Sequence, residues 1–181
     1  MKPTIIYEKI KNVQTTIPFK EKEALRKAAT KVPDGGIIVD IGTCAGGSAF
    51  LMALASKPSV HVWTIDPIEN KAFLEKRMEF GLIDKVHFIN QTSDNAVKDW
   101  NEPIDLLFID GEHAGAYITR DIDNWGKFVK KGSTIILHDY IWYGDVVQKA
   151  MDAAEIKLKL IDVPFGHYNE KPVGIAVTEK L

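Results

Sequence analysis

Asp40, Asp66, Asp110 and Asp139 each lie within or just after a short apolar run. Two histidines stand beside them: His113 three residues past Asp110, and His138 directly before Asp139. Carboxylates so placed can accept hydrogen bonds from hydroxyl and amino groups, or hold a cation. An imidazole, with an ordinary pKa of about 6.5, can take a proton at neutral pH. Asp110, Asp139 and His138 could converge on one divalent cation. An all-oxygen set suits Mg²⁺, which keeps several waters, whereas a histidine tilts the preference toward Mn²⁺, Fe²⁺, Co²⁺ or Zn²⁺. Asp110 and His113 form the candidate catalytic pair, and either His113 or His138 could act as general base. The alternatives are that His113 only braces the loop after its strand, and that His138 is a satisfied polar residue at a strand end.

Asp40 introduces the Gly-rich stretch Gly42-Thr43-Cys44-Ala45-Gly46-Gly47-Ser48. Its spacing misses the second glycine of the G-x-G-x-x-G dinucleotide fingerprint, and the lysine of a phosphate-cradling loop is absent. An acid two positions before the first glycine is a poor neighbour for a phosphate and a good one for a cationic aminoacyl group. Asp66 is placed to accept from both ribose hydroxyls of an adenosine, or is merely an acid in an Asp-Pro turn. Gln91 and Ser93 could contact an adenine, or Ser93 could simply cap the next helix.

These residues need strand ends to carry them. The runs around 37–39, 60–66, 86–89, 104–110 and 133–137 are β-branched or continuously apolar and read as strands. Helical segments follow them, over 49–55, 68–80, 94–100, a stretch containing Ile118, Ile122, Trp125 and Val129, and one from Val146 to Ala154. Gly81 is placed to cap one helix and Gly132 to end another. Leu158 to Val163 and Val173 to Val177 read as a closing strand pair joined by a loop from Pro164 to Pro172. Phe19 to Lys31 is a helix ahead of the first strand. Five strand-then-helix units followed by two strands predict an α/β, doubly wound sheet in a single domain over 1–181, with an N-terminal helical segment over 1–34 and a core over 35–181. In such sheets ligands bind beyond the carboxyl ends of the strands, where the acids stand.

The totals narrow the partners. A formal net charge of −2 gives no basic footprint for nucleic acid or an anionic membrane. The single cysteine, Cys44, excludes an internal disulfide and a Cys-rich zinc site. No apolar run nears the roughly 20 residues of a membrane-spanning helix, and no signal-peptide core follows Met1, so a cytoplasmic location is expected.

The turn from Asp40 to Ser48 resembles motif I of class I S-adenosylmethionine-dependent methyltransferases. The resemblance implies that Asp40 faces the methionyl ammonium, that Gly42, Thr43, Ala45, Gly46 and Ser48 give cofactor contacts, and that Asp66 holds the ribose. The later sequence Ile109-Asp110-Gly111-Glu112-His113, then Asp121, Trp125, Lys131-Gly132 and His138-Asp139-Tyr140, is similar to one group of small-molecule O-methyltransferases. That group is related to catechol, macrolide-sugar and aminocoumarin-sugar enzymes and to proteins named for cephalosporin hydroxylation. The resemblance covers roughly Gly35 to Asp145. It implies a Rossmann-like seven-stranded sheet, mostly parallel with one antiparallel strand near the C-terminus. It further implies methyl transfer to a hydroxyl of a small molecule, with Mg²⁺ or Mn²⁺ on Asp110, His138 and Asp139. Many relatives carry a carboxylate or Asn where His138 or Tyr140 stands. Relatives also cover the substrate with longer segments, so the pocket here is expected to be open or completed by a second subunit in a homodimer. The competing expectations are methylation of nucleic acid or protein, cofactor binding without transfer, and NAD-dependent oxidation. The Asp-Gly-Glu-His after the fourth strand, in place of an Asn/Asp-Pro-Pro-aromatic motif, disfavours the first.

Overall fold

The computed structural model describes the chain except residues 16, 113–114, 139–144, 146–148, 150–151, 153–162, 169–170 and 181, with backbone alone at 115, 163–168 and 171–179. Two helices, α1 (Pro3–Ile10) and α2 (Phe19–Lys31), precede the first strand, β1 (Ile37–Ile41). Pro3 occupies the start of α1, where a missing N–H costs nothing. There follow α3 (Gly47–Ala55), β2 (His61–Ile65), α4 (Lys71–Glu79), β3 (Val86–Ile89), the single turn α5 (Ser93–Ala96), β4 (Ile104–Ile109), α6 (Gly115–Trp125), β5 (Val129–Leu137), β6 (Val163–Tyr168) and β7 (Lys171–Glu179).

The strands lie in the order β3-β2-β1-β4-β5-β7-β6. β1 to β5 are mutually parallel, while β7 runs antiparallel to both β5 and β6. Chain order reverses between β1 and β4, which are direct neighbours, and the crevice above that pair is where an open α/β sheet takes its ligands. β4 is buried at every position, as a central strand covered on both faces must be. One core layer joins Ile6, Leu25, Phe50, Met52 and Phe73 on the α1–α4 face. The other joins Val39, Leu107, Ile118, Ile122 and Trp125 under α6. None of the described helices is long and apolar enough to cross a membrane.

At the opposite end of the sheet Asp105 braces three elements. It accepts from the backbone N–H of Ile37 at 2.9 Å and from Lys130 Nζ at 2.8 and 2.9 Å. Two sequence expectations need correction here. Val129 continues the helical spacing of Ile118, Ile122 and Trp125, yet α6 ends at Trp125, a 3₁₀ turn spans Gly126–Phe128, and Val129 already opens β5. Gly132 therefore lies within a strand, at φ 77°, next to the register shift opposite Ile104 and Leu106. The expected loop from Pro164 to Pro172 is largely strand, because β6 and β7 extend into it. Of the helix expected over 146–154 only residues 149 and 152 are described, both helical, and most of the strand over 158–163 lies outside the described residues.

Candidate functional site

The turn after β1 is shaped by two glycines that no other residue could replace. Gly42 has φ 103°, and a Cβ there would lie 2.2 Å from the carbonyl oxygen of Asp110. That contact joins the β1 turn to the β4 turn, reinforced by Asp110 N–H donating to Ile41 O at 2.8 Å. Gly46, at φ 87°, precedes α3, and a Cβ there would strike the Phe50 and Phe73 rings.

Asp40 lies beneath this turn and is wholly buried. Its Oδ2 accepts from Thr64 Oγ1 at 2.7 Å and from Ser48 Oγ at 3.2 Å. Thr43 Oγ1 lies 2.7 Å from Thr64 Oγ1 and extends the chain of hydroxyls. Oδ1 is buried without a hydrogen-bond partner. Burial pushes this carboxyl up to about 7, against the pull of the two hydroxyls and with the help of nearby Asp110 and Asp66. The residue expected to face a ligand thus ties β1, β2 and α3 together from below.

Above the turn opens a cavity of about 600 Å³, lined by Gly42, Cys44, Asp66, Pro67, Thr92, Ser93, Asp94, Asp110, Glu112, Tyr117 and Asp121 among others. That size falls in the range of roughly 300–1,000 Å³ usual for small-molecule sites. Gly42, Asp66, Ser93 and Asp110 were legible in the sequence and meet here. Thr43, Ala45, Gly46 and Ser48 do not line the cavity and are buried below it. Gln91 also does not line it. It faces a separate depression with Trp63 and Trp100, so the adenine contact expected of Gln91 is not supported by its position. His113 and Asp139 lie outside the described residues.

Asp66 grips the turn from the end of β2. Its Oδ2 accepts from the N–H groups of Thr43 and Cys44, each at 3.1 Å, and its Oδ1 from Ile68 N–H at 2.9 Å. A carboxylate offers about four acceptor positions, so about one is left beyond these three. On the opposite wall Asp121 accepts a short hydrogen bond from Ser93 Oγ. Burial first, and then the charge of Asp94, push its carboxyl up to about 6. Arg120 sits 3.1 Å from Asp94 and covers the Tyr117 ring at 4.4 Å. Asp121 and Cys44 were not expected as wall residues. Asp121 shares α6 with the apolar stripe of Ile118 and Ile122, which hid it from a reading by periodicity.

The ends of β4 and β5 meet beside the cavity, where His138 N–H donates to Ile109 O at 3.0 Å. His138 Nδ1 lies 3.0 Å from Asp110 Oδ1, and its Nε2 lies 3.0 Å from Glu21 Oε2 on α2. Both contacts are ion-pair separations between a ring nitrogen and a carboxylate oxygen. Nδ1 and Oδ1 at this separation fit two neighbouring ligands of one cation with bonds of roughly 2.0–2.2 Å. Among the described residues no group of three His, Cys, Asp or Glu side chains is placed to hold a metal ion.

Asp66→Ala removes the acceptor for three turn N–H groups and the carboxylate that the sequence leads one to expect on a ribose. Affinity for S-adenosylhomocysteine is expected to fall by about 1.5–3 kcal/mol, read by titration calorimetry. Unchanged affinity would remove Asp66 from the site.

A protein-family model described as a methyltransferase domain matches residues 39–140. Over 112 residues the chain is 30% identical to the Uncharacterized protein R132 of Acanthamoeba polyphaga mimivirus, covering 56% of this chain and 50% of that protein. The chain thus spans about half the length of that curated relative. Among solved structures it is similar to TrmN from Thermus thermophilus, with a TM-score of 0.77 at 16% identity over 97% of this chain and 52% of that one. It is also similar to an O-methyltransferase from Bacillus cereus in complex with SAH, with a TM-score of 0.76 at 16% identity over 99% of this chain and 92% of that one. An rRNA methylase from Streptococcus thermophilus gives a TM-score of 0.71 at 16% identity over 93% and 99% of the two chains. At such identities these likenesses establish a shared Rossmann-like α/β fold.

Proposed function

Because this chain belongs to the methyltransferase domain family, we propose that it moves the sulfonium methyl of S-adenosylmethionine to a hydroxyl oxygen of a small molecule. The observation that carries this reading is the charge of the cavity at the strand switch point. Asp66, Asp94, Asp110, Glu112 and Asp121 line it, and no Lys or Arg is among its described lining residues. A cofactor with a sulfonium and an ammonium is attracted by such walls, while the pyrophosphate of a dinucleotide is repelled. The phosphates of an RNA acceptor would meet the same repulsion, which favours a small acceptor.

In this reading Asp66 accepts from the ribose hydroxyls, and the buried Asp40 braces the turn beneath the methionyl end through Thr64 and Ser48. Ser93 and Asp121 form the wall beside the adenosine. The acceptor enters over Asp110 and His138, where its oxygen can attack the methyl carbon from the side opposite sulfur. Holding donor and acceptor in that line provides much of the acceleration. His113 or His138 takes the hydroxyl proton. Asp110, His138 and Asp139 would hold a divalent cation, which when bound would lower the pKa of a coordinated hydroxyl.

The test is transfer of a labelled methyl group from S-adenosylmethionine to a panel of catechols, sugars and hydroxy acids, alongside ribosomal and transfer RNA, with and without chelator. Labelling of a small hydroxylated compound is expected. Labelling confined to RNA would overturn the acceptor class. Full activity in excess chelator would remove the metal and leave a histidine as base.

A further inference from the structure

Glu21 is an acid in a place where packing alone would put a leucine. It lies on the buried stripe of α2 with Leu25 and Ala29, and its residue surface is only 1% exposed. Burying an ionised carboxylate carries a large desolvation cost unless a partner offsets it. The partner here is His138, whose side chain is itself only 8% exposed, with Nε2 3.0 Å from Glu21 Oε2. The other ring nitrogen, Nδ1, is 3.0 Å from Oδ1 of Asp110, and Asp110 is the member of this chain of three that reaches the cavity. The three side chains run from the helical layer, through a strand end, to the ligand cavity.

We propose that Glu21 is a positioning residue of the reaction edge: its carboxylate holds Nε2 of His138 and so keeps Nδ1 turned toward Asp110. An imidazole shows one of its two nitrogens to a reacting group only when the other is fixed, and a carboxylate on the far nitrogen is the common means. With Nε2 held at the Glu21 carboxylate, Nδ1 is the atom turned to Asp110 Oδ1, and a hydroxyl proton or a cation taken up between the two joins them. The N-terminal helical segment thereby becomes part of the site, although it lies outside the 39–140 stretch that matches the family. The functional meaning rests on the methyl-transfer reading of that edge; the contact itself does not.

The experiment uses the full chain, labelled with ¹⁵N, as wild type and as Glu21→Gln, Glu21→Leu and Glu21→Met. The His138 ring nitrogens are observed by NMR and assigned by their loss in His138→Gln. Wild type is expected to show a proton on Nε2 that exchanges slowly with water. Glu21→Gln keeps an acceptor and should retain that proton, whereas Glu21→Leu and Glu21→Met fill the space without one and should lose it. Calorimetry with S-adenosylhomocysteine should give affinities within about twofold of wild type for the Gln variant, because Glu21 does not line the cavity. A wild-type His138 with a bare Nε2 would overturn the proposal without reference to any variant. A ring pattern unchanged in the Leu or Met variant, or altered as much in Gln as in Leu, would also overturn it. Wild-type protein that takes up no S-adenosylhomocysteine would overturn the methyl-transfer reading by itself, whatever the ring shows.

Discussion

Gly42→Ala is expected to lower the unfolding free energy by about 2–4 kcal/mol and to abolish measurable binding of S-adenosylhomocysteine. Two causes add. At φ 103° an L side chain is strained, and the new Cβ would lie 2.2 Å from the Asp110 carbonyl oxygen. That oxygen belongs to backbone, not to the far end of a flexible side chain, so relief requires the β1 and β4 turns to part. Both turns line the cavity through Gly42 and Asp110, so the same displacement spoils its floor. Gly35→Ala is the control: it too has positive φ, at 70°, but nothing lies within 4 Å of its added Cβ. It should show the backbone strain alone and leave binding intact. Equal losses in the two variants, by chemical denaturation and calorimetry, would contradict the close-approach argument.

Asp40→Asn is expected to flatten a large pH dependence of stability. In the folded chain the Asp40 carboxyl is raised to about 7 from an ordinary 3.8, with burial the leading cause. The folded state therefore binds the proton more tightly than the unfolded state. Its contribution is fully present below about pH 4 and is lost as pH rises through about 7. A difference of about three pH units corresponds to about 4 kcal/mol. Asp121, raised to about 6, acts in the same direction, so the wild-type curve alone does not isolate Asp40. The difference between wild type and Asp40→Asn does. Measured by denaturant unfolding at pH 4 and pH 8, the variant should gain about 4 kcal/mol on wild type between the two. A difference that does not change with pH would show that Asp40 is ionised in its buried site.

The parts of the site that were legible in the sequence are those where residue type and strand ending coincide. Gly42, Asp66 and Asp110 follow apolar runs whose ends a parallel sheet must gather on one edge, and they do meet. Asp40 shows the limit of that logic. It lies within β1, a central strand buried along most of its length, and such a strand has no polar alternation to reveal which way a side chain points. Gln91 is close in sequence to Ser93, but the turn between β3 and α5 sends the two to different hollows. The over-long helix through Val129 has a related cause: helix and strand bury their apolar residues against the same layer, so the spacing persists across the break. Glu21 was missed because it belongs to a helix outside the Gly-rich core. Its signal was present as an acid four residues before Leu25 and eight before Ala29, on the face those residues bury. Asp121 repeats the pattern, an acid beside the buried stripe of an amphipathic helix.

Isothermal titration of the purified full chain with S-adenosylhomocysteine, and separately with NAD, tests the central claim most directly. The acid-lined cavity above the β1–β4 switch predicts one molecule of S-adenosylhomocysteine bound per chain and no comparable binding of NAD, whose pyrophosphate meets the carboxylates lining it. Tighter binding of NAD than of S-adenosylhomocysteine would contradict it.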